Sequence, residues 1–211
     1  MDTLLRPRPA ALAHPADEEF PPIADGFDDE AILDRLEQDD RNLEFDGETF
    51  VEKNVSVESS FVNGWILTLI NNFIIANGWP AVALGPETIY RCWPDRPRLF
   101  RKPDVSVIRM ERFREHERNP RVMTIPADLV VEVLSPTNRA EDLNQKLELY
   151  REVGFGPVWV VSLLSRAVDV YQPNGETKRL RGDEVVDAGD VLPGFAPTVN
   201  DLLGPDAARG R

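Results

Sequence analysis

Hydrophobic and polar positions alternate with two periods along this chain, and the periods predict both helices and strands. Between residues 57 and 77, apolar side chains recur every fourth position in two adjacent rows, which is typical of a long helix, ended here by Gly78. Further helices are predicted over residues 139–153, after Asn138 as N-cap, over residues 28–36 and near the end of the chain. The segments predicted as strands are ETIYRCW, KPDVSVI, DLVVEVL and VWVVSLL, two hairpins (NLEFDGETFVEK, and AVDVY with ETKRLRG) and a last strand within DAGDVLPGF.

The predicted strand DLVVEVL carries an acid although both of its faces are otherwise apolar. Val130 and Leu134 flank Glu132 on one face, and the opposite face is apolar throughout. A buried, unpaired charge costs several kcal/mol unless it is protonated, paired with an opposite charge or bound to a cation. Residues that lie near Glu132 in the fold must therefore provide one of these three solutions.

Two further acids fall where the pattern predicts burial. Asp104 begins the predicted strand PDVSVI, directly after Pro103. Glu58 precedes Val62 by four positions, which places it at the head of the apolar face of the long helix. Alternatively, Glu58 is an ordinary acid that stabilises the N-terminus of that helix.

Lys146 lies within the apolar arc of the helix over residues 139–153 when positions are plotted at 100° intervals. Asp142, four residues earlier, falls in the same arc. In one interpretation, Lys146 works beside the acids of the neighbouring strands. In the other, it is a snorkelling lysine that pairs with Asp142 in an i,i+4 salt bridge.

Two carboxylates on neighbouring strands with a lysine nearby suit the hydrolysis of phosphodiester bonds. The oxygens of Asp104 and Glu132 are hard ligands of the kind that Mg²⁺ or Mn²⁺ prefers, and a bound cation would make a buried Glu132 tolerable. A lysine can orient or deprotonate the attacking water, or neutralise developing charge. We therefore predict a Mg²⁺ (or Mn²⁺) site at these two acids, with Lys146 as a catalytic residue.

The order of these motifs resembles the Uma-type endonuclease family of bacteria, a branch of the PD-(D/E)XK nuclease superfamily. The resemblance covers about residues 28–203 and rests on PD at 103–104, EVL at 132–134 and the string ADLVVEVLSPTNRAEDLNQKLELYREVGFGPVWVV. It implies a restriction-endonuclease-like α/β core, in which a mixed central β-sheet is flanked by helices and extended by β-hairpins.

The resemblance also implies roles for single residues. Asp104, Glu132 and the helical acid Glu58 would be metal ligands, Lys146 would be a catalytic lysine that has moved to this helix, and Asp142 would support it. The sequence departs from the superfamily pattern at Leu134, where a lysine usually stands. It departs from many family members at Ser162, where they carry an acid.

Acidic and basic residues concentrate in different parts of the chain, whose net charge is −13. Residues 1–60 contain 17 acids and 5 bases, whereas the stretch Arg91–Arg121 contains 10 bases and 5 acids. The basic stretch is either a solvated loop or a surface for nucleic acid. In the second case, we expect Arg112, Arg114 and Arg118 to contact DNA phosphates, while RNA stays open as a substrate.

The length of 211 residues predicts one domain over residues 25–203, a disordered or loosely attached acidic segment at 1–24 and a flexible tail at 204–211. One cysteine excludes an internal disulfide, and we expect a cytoplasmic protein with no secretory or membrane-spanning segment. By analogy with nucleases that cut both strands, we expect a homodimer. The alternative is a catalytically inactive homodimeric module of this fold that binds nucleic acid or protein.

Overall fold

The computed structural model describes residues 29–115, 119–135 and 140–205. The predicted N-cap Asn138, the basic residue Arg118, the segment 1–24 and most of the tail lie outside this part of the chain. The helices are α1 (Asp29–Gln38), α2 (Val57–Asn77), α3 (Met110–Glu115), α4 (Ala140–Val153) and α5 (Val199–Leu203). The strands are β1 (Leu43–Phe45), β2 (Phe50–Glu52), β3 (Ala81–Leu84), β4 (Ile89–Tyr90), β5 (Val105–Arg109), β6 (Val122–Met123), β7 (Leu129–Leu134), β8 (Val158–Ser162), β9 (Ala167–Tyr171) and β10 (Thr177–Arg181).

A mixed six-stranded sheet with the order β10-β9-β8-β7-β5-β3 forms the centre of the fold. Strands β7 and β8 are parallel, as expected for strands joined by a helical crossover through α4, and the other neighbours are antiparallel. The pairs β1-β2 and β4-β6 form two small additional sheets. The predicted mixed sheet flanked by helices is thereby confirmed.

Helices cover both faces of the central sheet. Helix α2 begins with a capping box between Ser56 and Ser59 and ends at Gly78, which adopts the left-handed conformation with φ 58°. Its buried row, which includes Val62 and Ile66, packs on one face of the sheet. Helix α4 covers the opposite face through Leu149 and Tyr150. Strand β7 is therefore enclosed on both sides, as its apolar pattern predicts.

Helix α2 is also long and apolar enough, by length and composition alone, to cross a membrane. This finding alone does not overturn the expectation of a protein without a membrane-spanning segment. One helix of this kind is weak evidence for membrane insertion, because the core helix of a soluble protein passes the same test. Here the helix packs on the central sheet.

A third apolar cluster joins α1 to the β1-β2 hairpin. It contains Ile32, Leu33, Leu36, Leu43, Phe45, Phe50, Ile89, Phe100 and Val122. Arg121 ties α1 to this cluster by ion pairs with Glu30, Asp34 and Glu37. The hairpin is thereby held against the stretch that leads into β5.

The predicted elements differ from the structure at three places. The segment DAGDVLPGF forms no strand, and near it only an isolated bridge joins Val185 to Thr198. The segment ETIYRCW contributes only the two-residue strand β4, which pairs with β6 outside the central sheet. Strands β3 and β6 were not predicted, because they are too short to show a period.

Candidate active site

Asp104 and Glu132 lie opposite each other on neighbouring strands. Val105 pairs with Val131 in the antiparallel register of β5 and β7, so Asp104, which directly precedes Val105, lies opposite Glu132, which directly follows Val131. Both acids are buried, with 7% and 4% of their surface exposed. Asp104 Oδ2 accepts a hydrogen bond of 2.7 Å from the backbone N–H of Val133, which fixes the carboxylate at the edge of the strand.

Helix α4 brings Lys146 to Glu132, as predicted. Lys146 Nζ lies 2.9 Å from Glu132 Oε1, and the lysine side chain is only 12% exposed. Tyr150, one turn further along α4, donates a hydrogen bond of 2.7 Å from its hydroxyl group to the same oxygen. The buried acid of β7 is therefore paired with an opposite charge, which answers the question that its sequence position raises.

Glu44 is a third acid of the site that the sequence pattern did not single out. It lies in β1 and is 6% exposed. Its Oε1 atom accepts hydrogen bonds of 2.8 Å from both Lys146 Nζ and the backbone N–H of Lys102, and Arg101 lies 3.9 Å from its other oxygen. Lys146 thus bridges two acids, one from the central sheet and one from the hairpin.

Lys53 is a second lysine of the site and was also not predicted. It directly follows β2, and its side chain is 13% exposed. Its Nζ atom donates hydrogen bonds of 2.7 Å to Asp104 Oδ1 and to the backbone carbonyl of Lys102, and it lies 3.7 Å from Glu132 Oε2. The ammonium group therefore stands between the two acids that were predicted as metal ligands.

Burial and charge shift the pKa values of this network in opposite directions. Burial alone would raise the pKa of Glu44, but Lys146, Lys53 and Arg101 outweigh it and lower that pKa to about 2. The pKa of Glu132 is raised, because burial outweighs the attraction of Lys146 and Lys53.

The acids of the network also shift the pKa values of Lys53 and Tyr150. Burial disfavours the charged form of Lys53, yet Asp104 and Glu132 overcome this and raise the pKa above the usual range of a lysine. Burial, together with the Glu132 charge, raises the pKa of Tyr150 well above its usual value. Lys53 therefore stays charged, and Tyr150 stays a neutral donor.

The network opens onto a cleft of about 670 Å³ between the β1-β2 hairpin, the start of α2 and helix α4. Its acidic lining residues are Asp40, Glu44, Asp46, Glu52, Glu87, Asp104, Glu132 and Asp142. Its basic lining residues are Arg41, Lys53, Arg101 and Lys146. Among the lining residues that the structure describes, acids outnumber bases two to one, and this excess of negative charge attracts cations and repels free phosphate.

Two of the predicted acids take other positions. Glu58 is exposed and does not line the cleft, so its predicted place at the head of the buried face is wrong. The buried residue of the first helical turn is Ser59, which the capping box turns inwards. Asp142 lines the cleft but is exposed, and Lys146 pairs with Glu44 and Glu132 in its place. The structure therefore does not support the alternative interpretation, in which Lys146 pairs with Asp142.

Leu134 and Ser162, where the sequence departs from the superfamily and family patterns, lie in different surroundings. Leu134 lines the cleft on the same face of β7 as Glu132. Ser162, the last residue of β8, accepts a hydrogen bond of 3.3 Å from the Ser165 backbone N–H. The serine caps a turn and does not line the cleft.

The basic stretch makes ion pairs within the chain. Arg112 Nη1 lies 2.7 Å from Asp128 Oδ1, and its Nη2 atom donates to the backbone carbonyl of Pro126. Arg114 is exposed. Both lie in α3, which follows the far end of β5, roughly 17 Å along the strand from Asp104. Further bases with acidic partners are Arg91, Arg96, Arg101, Lys102 and Arg121. Within the described part of this stretch, the local excess of bases therefore does not produce a basic surface beside the acid pair.

The donor set fits a hard divalent cation. Mg²⁺ is usually held by one or two carboxylates and retains several waters, and Asp104 and Glu132 offer two carboxylates at an open cleft. The buried side-chain oxygens of Asn42 and Asn63, which also line the cleft, have no hydrogen-bond partner within the described part of the chain. Such acceptors suit the water shell of a cation. Within residues 29–115, 119–135 and 140–205, no group of three or more His, Cys, Asp and Glu side chains is arranged to hold a metal ion, so the protein ligands offered here are the two carboxylates.

Comparison with known proteins assigns the family. The model of the family described as "Uma2: Putative restriction endonuclease" matches residues 29–200. The chain belongs to the Uma2 family. Four chains of solved structures match, and one of them is the crystal structure of "a putative nuclease belonging to DUF820" from Anabaena variabilis. The Uma2 chain shares 19% sequence identity with it, at a TM-score of 0.69 over 84% of this chain and 98% of that one, which shows a common fold. No curated protein matches the sequence.

Proposed function

We propose that this Uma2 protein is a divalent-metal-dependent endonuclease that hydrolyses DNA phosphodiester bonds at Asp104 and Glu132. The descriptions of its family and of its structural neighbour support a nuclease function. The observation that carries the proposal is the position of the two acids, which lie opposite each other at an open cleft with Lys146 against Glu132. This arrangement combines ligands for a hard cation with a charged donor beside the reacting group.

Each residue of the site has a distinct role in this proposal. Asp104 and Glu132 would hold the cation, which would supply an activated water and stabilise charge on the phosphoryl oxygen. Lys146 and Tyr150 fix the Glu132 carboxylate from one side, since both donate to Oε1. Lys146, which also borders the cleft, presents its positive charge to the phosphate. Glu44 holds the ammonium group of Lys146 in place.

The acidic lining of the cleft suggests that a divalent cation binds there before the nucleic acid does. The described lining, with eight acids against four bases, repels a phosphate backbone, and a divalent ion at Asp104 and Glu132 would reduce that repulsion where the scissile phosphate must lie. DNA remains the proposed substrate, with RNA as the alternative. Arg114, exposed on α3, stays a candidate for phosphate contacts away from the reacting centre.

A cleavage assay on supercoiled plasmid DNA tests the proposal. The full-length protein is incubated with Mn²⁺ or Mg²⁺, with EDTA as a control, and with single-stranded RNA in a parallel series. We expect nicked or linear plasmid only with the metal. Glu132→Gln, which keeps the shape of the side chain, should remove this activity. Equal plasmid cleavage by wild type and Glu132→Gln would contradict the proposal, because a contaminating nuclease would then explain the activity.

One observation favours the second function, an inactive binding module. The buried network is balanced, because Glu44, Asp104 and Glu132 face the three cations Lys53, Lys146 and Arg101. A balanced network of this kind can hold a fold together without any metal. An inactive module would bind DNA or a protein partner without needing Mn²⁺, and substitution of Glu132 would then alter stability alone.

We also propose that the protein forms a homodimer. Helix α2 leaves apolar side chains in solvent on the side away from the sheet, with Val57 90%, Phe61 45% and Ile75 76% exposed. Large exposed apolar residues that follow one helix are common at interfaces between subunits. A symmetric dimer would place two cleavage sites on one particle, which suits an enzyme that cuts both DNA strands.

A further inference from the structure

We infer that Lys53 is a built-in counter-cation of the Asp104–Glu132 pair and competes with a divalent metal for the same place. The inference rests on the proposed function, because it describes how a cation reaches that site. Lys53 Nζ lies 2.7 Å from Asp104 Oδ1 and 3.7 Å from Glu132 Oε2, so a single ammonium group faces both carboxylates. A divalent cation held by both acids would compete with this ammonium group for the two carboxylates.

The two cations exclude each other on grounds of distance and charge. A divalent metal would lie about 2.1 Å from a carboxylate oxygen of Asp104. An ammonium group that stays 2.7 Å from that oxygen would be in close contact with a doubly charged ion of the same sign. Metal binding therefore requires the Lys53 ammonium to leave, and the attraction between Lys53 and the acids reduces the apparent affinity for metal.

The surroundings of Lys53 allow this movement. Its backbone is fixed, because its N–H donates 2.8 Å to the carbonyl of Asn42, so the exchange involves the side chain alone. The stem of four methylene groups is flexible and borders the open cleft, where water can solvate the released ammonium group. Its other hydrogen bond, to the carbonyl of Lys102, can be replaced by water in the same cleft.

Lys146 differs from Lys53 in a way that supplies a matched control. Lys146 contacts Glu132 through Oε1, whereas Lys53 faces Oε2, and no contact joins Lys146 to Asp104 within the described residues. Lys146 can therefore stay in place while a cation binds the other oxygen. Loss of Lys146 removes one positive charge from the site without vacating the place between the two acids.

Titration calorimetry with Mn²⁺ on the full-length protein tests the inference. Lys53→Met should bind Mn²⁺ at least tenfold more tightly than the wild type, whereas Lys53→Arg, which keeps the charge, should resemble the wild type. Lys146→Met should produce a much smaller gain. If the wild type binds Mn²⁺ as tightly as Lys53→Met, the inference fails and the metal site of the proposed function stands. If neither protein binds Mn²⁺, both fail.

A second measurement needs no variant and applies if Lys53→Met does not fold. The wild type is acetylated briefly with acetic anhydride, with and without saturating Mn²⁺, and the labelled lysines are counted by mass spectrometry. Displacement predicts that labelling of Lys53 rises several-fold with Mn²⁺ relative to the exposed Lys178, which serves as internal reference. Unchanged labelling of Lys53 in the presence of bound Mn²⁺ overturns the inference.

Discussion

Lys146 Nζ and Glu132 Oε1 lie 2.9 Å apart, and this contact joins helix α4 to the centre of the sheet. The same ammonium group lies 2.8 Å from Glu44 Oε1, so one lysine neutralises two buried acids from different parts of the fold. Removal of such a lysine leaves carboxylates buried without their partner, which is strongly destabilising. Lys146 therefore has a structural role in addition to its proposed catalytic one.

The first prediction separates the two roles of Lys146. Lys146→Met should lower the free energy of unfolding by about 3 kcal/mol, because Glu44 and Glu132 lose their shared cation. It should also remove DNA hydrolysis while Mn²⁺ still binds. Urea denaturation, calorimetry and the plasmid assay measure the three quantities. A variant with unchanged melting temperature and unchanged cleavage rate would exclude Lys146 from the site.

Leu134 provides the control for this experiment. Its side chain lines the cleft on the same face of β7 as Glu132, at the position where the superfamily pattern has lysine. Leu134→Lys in the Lys146→Met background should restore part of the hydrolysis if the two positions reach the same point in space. Restored stability without restored cleavage would indicate that the charge matters only for the fold.

The second prediction concerns the pH dependence of stability. The pKa of Glu44 in the folded protein is about 2, below its usual value of 4.5, so the folded state favours the ionised form. This contribution, on the order of 3 kcal/mol, is present above pH 4.5 and is lost as the pH falls from 4.5 towards 2. Glu44→Gln should therefore cost stability at pH 7 and progressively less at low pH. A difference between the two proteins that does not shrink below pH 4.5 would contradict this assignment.

The Lys146–Glu132 contact could be predicted from the sequence because each residue breaks a regular pattern. Glu132 interrupts an apolar strand, and Lys146 interrupts an apolar helix arc, so both positions were expected to be buried before any contact was known. The sequence of β5 similarly placed Asp104 at the start of a buried strand. The burial of these three residues could therefore be predicted because each belongs to an element with a clear hydrophobic period.

Glu44 and Lys53 could not be predicted in the same way. Glu44 lies in β1 and Lys53 directly follows β2, and these two strands of three residues are too short for a period to distinguish a buried face from an exposed one. Glu44 meets a lysine 102 positions away, and no local pattern encodes such a contact. The prediction that Glu58 lies at the head of the buried helix face was wrong for a related reason. The helical period does not fix the first turn, where the capping box buries Ser59 and leaves Glu58 in solvent.

The third prediction distinguishes two arginines of α3. Arg112→Gln should lower the melting temperature, because Asp128, which is 9% exposed in its side chain, loses its charged partner and keeps only the hydrogen bond from the Arg109 backbone N–H. The same change should leave the salt dependence of DNA binding unchanged. Arg114→Gln should leave stability unchanged and, if Arg114 contacts phosphate, should reduce the salt slope by about 1. Thermal denaturation and DNA titrations at several salt concentrations provide the comparison. A reduced slope for Arg112→Gln would show that its ion pair opens to bind DNA.

The fourth prediction concerns the oligomeric state. Sedimentation equilibrium should give the mass of a dimer, twice 23.8 kDa. Ile75→Lys, which places a charge on the exposed side of α2, should give a monomer with an unchanged circular dichroism spectrum. Glu148→Lys, a change of an exposed residue on α4, serves as control and should leave the dimer intact. A monomeric wild type at working concentration would refute the proposed dimer.

The claim that Asp104 and Glu132 form a cation site is tested most directly by Mn²⁺ calorimetry on the wild type and on Asp104→Asn. The asparagine can still accept the hydrogen bond from the Val133 N–H, so the fold should survive while a charged ligand is lost. We predict one Mn²⁺ per chain for the wild type and at least a tenfold weaker affinity for Asp104→Asn at an unchanged circular dichroism spectrum. Equal Mn²⁺ affinity in the two proteins, or no binding by a folded wild type, would contradict the proposed metal site.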